Sequence, residues 1–256
     1  MRRHAPPRKK RAEVADGPEL KIDIAEKRFP VLPAPLYVDL DIDVPGGQVL
    51  ALVGPSGIGK SSLLRLVAGI DTDYVGTITI GGVPAEAAPP PGFVFQDSRL
   101  LPWLTAIDNI TAVNPAITRA QGEAMLERVG LQGFADAYPH QLSGGMQRRV
   151  ALARAFSVNS RLLLLDEPFV SLDRHLVAGL QKVLLGLMAS ERPTAILVTH
   201  LPEDAALLAD RAIVLDGRPA RVVADIAFES RRGERDPQEL LRLTQLLSTY
   251  SEEKAL

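Results

Sequence analysis

A run of five apolar residues leads directly into a glycine-rich segment, and this junction limits the folds open to the chain. The run is Val49–Val53, and the segment after it reads Gly54-Pro55-Ser56-Gly57-Ile58-Gly59-Lys60-Ser61. A short continuous apolar strand is typical of a parallel sheet covered on both faces. The pattern GxxxxGK[ST] between a strand and a helix is a phosphate-binding loop. The sequence therefore predicts an α/β fold that binds a nucleoside triphosphate.

The residue types of this loop suit phosphate. Glycines let successive N–H groups point inward at phosphate oxygens, and the N-terminus of the following helix adds partial positive charge. We expect Lys60 to reach the β- and γ-phosphates and Ser61 to offer its hydroxyl to Mg²⁺. The residues expected to contact the nucleotide are Gly54, Pro55, Ser56, Gly57, Ile58, Gly59, Lys60, Ser61 and Ser62.

Two adjacent acids end a leucine run farther along the chain. Asp166 and Glu167 directly follow the apolar segment 162–165, and open α/β sheets bind ligands at the carboxyl ends of their strands. Neighbouring residues of a strand point to opposite sides, which suits two roles. We expect Asp166 to hold the Mg²⁺ shell and Glu167 to polarise the attacking water.

Two more polar residues follow apolar strands in the same way. Gln96 comes after the segment 93–95, and we expect it either to ligate Mg²⁺ or to orient the water. His200 comes after the segment 196–199, and we expect it either to contact the γ-phosphate or to hold the Glu167–water geometry. The candidate catalytic residues are Glu167, His200 and Gln96, and the candidate metal ligands are Ser61, Gln96 and Asp166.

The order of elements alternates between strand and helix patterns. We expect strands at about 20–24, 38–44, 49–53, 77–80, 93–95, 161–165, 195–198, 212–215 and 221–224. We expect helices at about 61–68, 119–129, 146–156, 175–188 and 202–209, with a last helix from Asp236. The first two strands alternate apolar and polar residues, which predicts an antiparallel edge. Thr118 and Gln121 have the spacing of a capping box.

Composition bounds the organisation of the chain. Its 256 residues carry a net charge of −2, so no nucleic-acid partner is expected, and the absence of cysteine excludes thiolate chemistry. Six positive charges fall in the first eleven residues, and we interpret residues 1–18 as a basic disordered tail. After this tail we predict an ATPase domain at 19–230, which includes a helical subdomain at about 102–155. A C-terminal helix is predicted at 231–256. No apolar run reaches the length of a membrane span.

The segment Leu142-Ser143-Gly144-Gly145-Met146-Gln147 resembles the signature motif of the ATP-binding cassette (ABC) ATPases. Its spacing agrees, since Gln147 precedes Asp166 by 19 residues. Ser171-Leu172-Asp173 is similar to the D-loop of that family, and Gln96 and His200 stand where it has its Q-loop and switch histidine. The resemblance covers residues 20–224 and implies a P-loop NTPase (RecA-like) core with an antiparallel β edge and an inserted α-helical subdomain.

This resemblance implies ATP and Mg²⁺ as cofactors and a second cassette as partner, most simply a copy of the chain in a homodimer. In the family, each signature closes on the γ-phosphate held by the other chain. Ser143, Gly144, Gly145 and Asp173 would therefore contact ATP in trans. The aromatic residue that stacks on adenine in relatives would be Phe29 by position, with Tyr37 as the alternative.

Two segments resemble a narrower group, the cassettes of nitrate, taurine and alkanesulfonate importers. They are the stretch 96–105 and the segment Arg218-Pro219-Ala220-Arg221-Val222. This similarity implies an integral membrane permease as partner, indirectly a solute-binding protein, and a cytoplasmic, peripheral position on the inner face of the cell membrane. A cassette for thiamine-precursor pyrimidines is the alternative within the same group.

A soluble ABC ATPase without a transport role is a further alternative. Repair and chromosome members carry coiled-coil or zinc insertions, and translation members carry two cassettes in tandem. Here Lys60 and Asp166 are too close for a coiled coil, no cysteine is present, and one cassette is found. A regulator without hydrolysis is disfavoured because Lys60, Gln96, Glu167 and His200 are all intact.

Overall fold

The computed structural model describes residues 15–170 and 172–252, which form two sheets with surrounding helices. The strands are β1 Leu20–Lys27, β2 Tyr37–Val44, β3 Val49–Val53, β4 Val75–Ile80, β5 Val83–Pro84, β6 Gly92–Val94, β7 Leu162–Asp166, β8 Thr194–Thr199, β9 Arg211–Asp216 and β10 Arg221–Ala227. The helices are α1 Lys60–Val67, α2 Ala106–Thr111, α3 Arg119–Arg128, α4 Gly144–Phe156, α5 Arg174–Glu191, α6 Pro202–Leu208 and α7 Pro237–Glu252.

The larger sheet has the strand order β10-β9-β3-β8-β7-β6, and the strands from β9 to β6 run parallel. All five residues of β3 are buried, as a strand covered on both faces requires. The carboxyl ends of parallel strands share one edge. The chain leaves that edge at Gly54, Phe95, Glu167 and His200, so the edge brings the predicted site together.

The smaller sheet is antiparallel, with the order β2-β1-β4-β5. Its alternating pattern buries one face, where Ile22 and Ile42 pack with Leu63 and Leu64 of α1. The predicted antiparallel strands are therefore confirmed, and they form a sheet of their own that covers the phosphate-loop helix. The α/β class and the P-loop NTPase architecture are confirmed as well.

The helices α2, α3 and α4 lie between β6 and β7, in the region predicted as an inserted subdomain. The capping box of Thr118 and Gln121 is present at the start of α3. Helix α2 is absent from the prediction, and Thr105 caps it by accepting from the N–H of Asp108. Its buried Asn109 donates to three backbone carbonyls and accepts from the N–H of Leu101, which fixes the segment before the helix.

The chain segment 15–18, which the prediction placed in the tail, packs against the end of α5 and the start of β8. The Gly17 N–H donates to the carbonyl of Arg192 at 2.9 Å, and the Pro18 carbonyl accepts from the hydroxyl of Thr194 at 2.6 Å. These four residues are therefore part of the folded body, which corrects the boundary at residue 18. Residues 1–14, the rest of the predicted tail, lie outside the described residues.

The last helix, α7, packs on α6 through its apolar face, where Leu243 and Leu247 are buried. Asp236 begins it by accepting from the N–H of Glu239 at 2.9 Å. Arg235, just before the helix, is 8% exposed and donates to backbone carbonyls at the end of α6. Residues 253–256 of the predicted helix lie outside the described residues. Within the described residues, no helix combines the length and the apolar run needed to cross a membrane.

Candidate nucleotide site

The phosphate loop joins β3 to α1 in a conformation that two glycines make possible. Gly54 has a φ of 154°, and a Cβ there would lie 2.4 Å from the carbonyl oxygen of Leu215. Gly59 has a φ of 113°, and a Cβ there would lie 2.6 Å from the hydroxyl of Tyr37. Any side chain at either position would meet atoms that cannot move aside, so the backbone path of the loop requires glycine.

Lys60 lies inside this loop, with its side chain 4% exposed. Its ammonium donates to the carbonyls of Gly54 at 2.7 Å and Pro55 at 2.9 Å. Burial lowers the pKa of Lys60, while the nearby carboxylates of Glu167 and Asp166 raise it. The Lys60 ammonium therefore lies against the loop, and the two nearby carboxylates stabilise its positive charge.

Ser61 and Asp166 meet at the start of α1 and the end of β7. The Ser61 hydroxyl donates to Oδ1 of Asp166 at 2.8 Å, and burial raises the pKa of the Asp166 carboxyl. Within the described part of the chain, no cluster of three or more acids or histidines could hold a metal ion. A hydroxyl, one carboxylate and the nearby Gln96 amide are hard oxygen donors, however, and Mg²⁺ in nucleotide sites is held by few such ligands plus phosphates. The residues fit Mg²⁺.

Glu167 and His200 form the next pair along the same edge. Oε2 of Glu167 lies 3.1 Å from Nδ1 of His200, and the two side chains are 18% and 40% exposed. Glu167 has a φ of 46°, and its N–H donates to the carbonyl of Val198 at 3.0 Å. A carboxylate and an imidazole within hydrogen-bond distance can accept a proton from water and share it.

An open cavity of about 520 Å³ lies in front of these groups, large enough for a nucleotide. It is lined by Phe29, Val31, Leu32, Leu36, Ser56, Gly57, Gly59, Lys60, Ser61, Ser62, Gln96 and Glu167. The sequence reasoning found nine of these residues and missed Leu36 and the exposed apolar pair Val31 and Leu32, which follow no motif. Gln96 is exposed at the mouth of the cavity, beside Ser61 and Glu167.

The two candidates for adenine stacking differ sharply in burial. Phe29 is half-buried at the cavity wall, where the Lys27 ammonium lies 4.5 Å from its ring centroid. Tyr37 is fully buried, and its hydroxyl donates to the carbonyl of Gly59 at 2.5 Å. Tyr37 therefore supports the phosphate loop from behind, and the alternative that it stacks on adenine is wrong.

The signature segment begins helix α4 in an exposed position. Ser143 is the N-cap, and its hydroxyl accepts from the N–H of Met146 at 3.3 Å. Gly144 is exposed, with open space where a Cβ would lie. Behind it, the Gln147 amide donates to the carbonyls of Pro139 and Leu142. The helix N-terminus thus presents backbone N–H groups to solvent, an arrangement suited to an anion.

The same chain does not bring the signature and Asp173 into its own cavity. None of Ser143, Gly144, Gly145 and Asp173 is among the described residues that line it. Asp173 is exposed at the start of α5. These four residues are therefore available to a second molecule.

A phosphate loop, an acid pair at the same edge of the sheet and an exposed signature helix define a P-loop ATPase of the ATP-binding cassette class. The family model described as ABC transporter matches residues 37–170. The aliphatic sulfonates import ATP-binding protein SsuB 2 of Burkholderia lata is 40% identical over 85% of this chain and 81% of its own length. The protein of the same name from Rhodococcus jostii is 48% identical over 69% and 71%.

Solved structures agree with this relationship. A dimeric ATP-binding cassette bound to ADP and phosphate in a post-hydrolysis state superposes with a TM-score of 0.71, at 26% identity over 83% of this chain and all of that one. A cassette from Clostridium perfringens, part of an ABC transporter complex, gives 0.70 at 25% identity over 82% and 88%. The chain belongs to the ABC transporter family, and the predicted ABC-type ATPase is confirmed.

Proposed function

We propose that this chain is the ATP-hydrolysing subunit of an importer of aliphatic sulfonates. The observation that carries the proposal is the one sheet edge at which Lys60, Ser61 and Glu167 line a cavity. At the same edge, Asp166 is hydrogen-bonded to Ser61, and His200 lies 3.1 Å from Glu167. The solute class rests on relatives that are 40% and 48% identical and are named for import of aliphatic sulfonates. The sequence predicted a solute such as nitrate, taurine or an alkanesulfonate, and these relatives favour the sulfonates among them.

The roles of the site residues follow from their positions. The residues Gly54 to Ser62 would hold the phosphates of ATP through backbone N–H groups, with Lys60 turned from the loop carbonyls to the β- and γ-phosphates. Ser61, Asp166 and Gln96 would hold Mg²⁺. The ion, when bound, supplies charge that stabilises the phosphate oxygens. Phe29 would contact the adenine ring at the cavity wall.

Hydrolysis would proceed by attack of water on the γ-phosphorus. Glu167 would orient the water and accept its proton while the bond between the γ-phosphorus and the bridging oxygen breaks, which releases ADP and phosphate. His200 would hold the Glu167 carboxylate through Nδ1. Most of the rate enhancement would come from positioning and from charge stabilisation.

The second anion site requires a partner. Ser143, Gly144, Gly145 and Asp173 would contact the γ-phosphate held by another cassette, most simply a copy of this chain in a two-fold dimer. A separate permease would dock on the dimer at the inner face of the cell membrane, and a solute-binding protein would deliver the sulfonate to it. Closure of the dimer on ATP would drive the permease, and hydrolysis would release it.

The test is performed in the cell of origin with the full chain carrying an affinity tag. Gentle solubilisation of membranes should yield a stoichiometric multi-span protein with the tagged chain. Reconstituted with that protein and its binding protein, the wild-type chain should drive uptake of labelled ethanesulfonate, whereas Glu167→Gln should assemble without uptake. Recovery of soluble partners alone would refute the transport role. Uptake of a solute that is not a sulfonate, with none of ethanesulfonate or taurine, would refute the sulfonate assignment and leave the ATPase intact.

A further inference from the structure

The signature helix α4 carries a buried arginine that touches two loops of the nucleotide site. Arg148 is 7% exposed, and its Nη1 donates to the carbonyl of Phe95 at 2.9 Å. Its Nη2 donates to the carbonyl of Val170 at 3.4 Å. A guanidinium presents its donors in a fixed planar fork, so Arg148 connects the two carbonyls through one rigid group, with a short bond to Phe95 and a longer one to Val170.

The two carbonyls belong to backbone segments with proposed roles in the reaction. Phe95 immediately precedes Gln96, and Val170 lies between Glu167 and Asp173. Helix α4 itself begins at Gly144, four residues before Arg148, and Ser143 is its N-cap. One side chain therefore joins the signature helix, the Gln96 segment and the segment that leads to Asp173.

The Gln96 segment is bound to α4 at a second place. Arg154 donates to the carbonyls of Ser98 at 3.0 Å and Arg99 at 2.8 Å. The ring of Phe95 is stacked on Phe93 at 4.1 Å between centroids. The segment from Phe95 to Arg99 thus follows α4 through three carbonyls, and a shift of the helix must carry Gln96 with it.

Burying this cation is costly. Desolvation lowers the pKa of Arg148, and the neighbouring Asp97 opposes that effect. Arg148 is held in place by backbone carbonyls, and a buried guanidinium contributes little stability beyond an apolar residue of similar size. A buried arginine with these contacts therefore fits a role in geometry better than a role in folding stability.

We infer that Arg148 is a positioning residue. When the nucleotide of the partner contacts the signature helix, Arg148 passes the resulting shift of that helix on to Gln96 and Asp173. The inference rests on the proposed function only in the roles given to Gln96, Asp173 and the signature. When the dimer closes, movement of α4 is transmitted through the Arg148 guanidinium to two residues. Gln96 acts on the nucleotide of the same chain, and Asp173 acts on the nucleotide of the partner.

The experiment compares Arg148→Met, Arg148→Lys and Arg235→Met in the full chain, without a permease. Arg235 is the matched control, since it is 8% exposed and also donates to backbone carbonyls, but at the C-terminal helix. Each variant is measured for kcat per folded molecule and for the Kd of the monomer for Mg–ATP. Dimerisation in ATP is measured in the non-hydrolysing Glu167→Gln background by size-exclusion chromatography.

Arg148→Met should lower kcat about tenfold, equivalent to about 1.4 kcal/mol, while the Kd of the monomer stays within about twofold because the phosphate loop is untouched. Its dimer should need about tenfold more protein to form. Arg148→Lys keeps the charge but has one donor nitrogen in place of the planar fork, and it should recover part of both losses. This variant also covers the case that Arg148→Met fails to fold. Arg235→Met should leave kcat per folded molecule and dimerisation within about twofold of wild type, because Arg235 lies away from the nucleotide site and the signature helix.

Values of kcat and dimerisation within twofold of wild type in Arg148→Met, or in Arg148→Lys if Arg148→Met does not fold, would overturn the inference. A loss no larger than that of Arg235→Met would do the same. Failure of the proposed function gives a different result. A wild-type chain that does not hydrolyse ATP refutes the ATPase itself. A chain that supports no sulfonate uptake refutes the solute, but the ratios of kcat and of dimerisation between variant and wild type remain valid.

Discussion

Oε2 of Glu167 lies 3.1 Å from Nδ1 of His200, and the two residues leave the sheet from neighbouring parallel strands. The Glu167 backbone has a positive φ of 46° and is held by its N–H bond to the Val198 carbonyl on the neighbouring strand. The carboxylate therefore has one fixed partner and one open side toward the cavity. This pair is where the structure most directly constrains the chemistry.

Glu167→Gln should retain ATP binding and lose turnover. The amide is nearly isosteric with the carboxylate but cannot accept the proton of water, so kcat should fall by roughly 10²–10³-fold. Nucleotide binding measured by equilibrium titration should remain within about threefold, since Lys60 and the loop are unchanged. Glu191→Gln, which alters an acid paired with Arg128 away from the cavity, serves as the control. Near-normal turnover in purified Glu167→Gln would refute the assignment.

His200→Gln should reduce kcat because the Glu167 carboxylate loses the ring that orients it. We expect roughly a 10–100-fold loss, within the range for a positioned acid–base group. The double variant with Glu167→Gln should be little slower than Glu167→Gln alone, since groups that act as a unit are not additive. Steady-state kinetics of the four proteins give this cycle. Full additivity of the two losses would show that the contact has no catalytic role.

Much of the site could be predicted because short motifs at strand ends encode it. The segment from Gly54 to Ser62, Glu167 and His200 follow buried strands, and Asp166 is the last residue of one. Parallel strands bring their carboxyl ends to one edge. Local signals also placed α3, whose capping box is complete within four residues. In these cases the information that determines the structure is close in sequence.

What the sequence did not reveal depends on contacts between distant residues. Tyr37 supports the loop at Gly59, twenty-two residues later, and no pattern distinguishes such a tyrosine from one that stacks on a base. Val31 and Leu32 line the cavity from a loop without a motif. Residues 15–18 were grouped with the basic tail, although they bond to the segment that begins β8. Only the folded chain brings these partners together.

Ser61→Ala should raise the concentration of Mg²⁺ needed for activity. The hydroxyl of Ser61 is one of three proposed oxygen ligands, and it meets Asp166 at 2.8 Å. Mutation of a residue that only orients a metal ligand already weakens metal affinity by roughly 10–100-fold, so loss of the ligand itself should have at least this effect. Titration of ATPase activity with Mg²⁺ at fixed ATP measures the shift. Ser62→Ala, next along the helix, is the matched control, and an equal shift in both variants would contradict the assignment of Ser61.

Tyr37→Phe should destabilise the fold around the phosphate loop. The hydroxyl is fully buried and donates to the carbonyl of Gly59 at 2.5 Å. Its removal takes one of two donors from that carbonyl, which still accepts from the N–H of Leu63 at 3.0 Å, and the loss of one hydrogen bond costs about 0.5–1.5 kcal/mol. Urea unfolding gives the free energy, with Tyr250→Phe on the exposed face of α7 as the control. Because the ring does not stack on adenine, the KM for ATP should change much less than in Phe29→Ala.

Asp204 is a buried acid at the start of α6, beside the strand that ends at His200. Its Oδ1 accepts from the Gln181 amide at 2.8 Å, and its Oδ2 accepts from the Thr199 hydroxyl at 3.3 Å. Burial, the largest influence, raises the pKa of Asp204 from 3.8 to about 6, although both hydrogen bonds and nearby His200 lower it. The folded chain therefore holds a proton that the unfolded chain has lost between pH 3.8 and about 6.

Asp204→Asn should become more stable relative to wild type as the pH rises through that window. Between pH 3.8 and 6, the wild-type protein loses about 3 kcal/mol of folding free energy because its buried carboxyl resists ionisation. Above pH 6 this loss stays constant. The asparagine stays neutral and keeps an oxygen for Gln181. Urea unfolding of both proteins from pH 4 to 8 measures the difference, which should grow by about 2–3 kcal/mol up to pH 6 and then level off. The exposed Glu127→Gln should show no such growth. A flat difference for Asp204→Asn would mean that the carboxyl is already ionised at pH 4 in the folded chain.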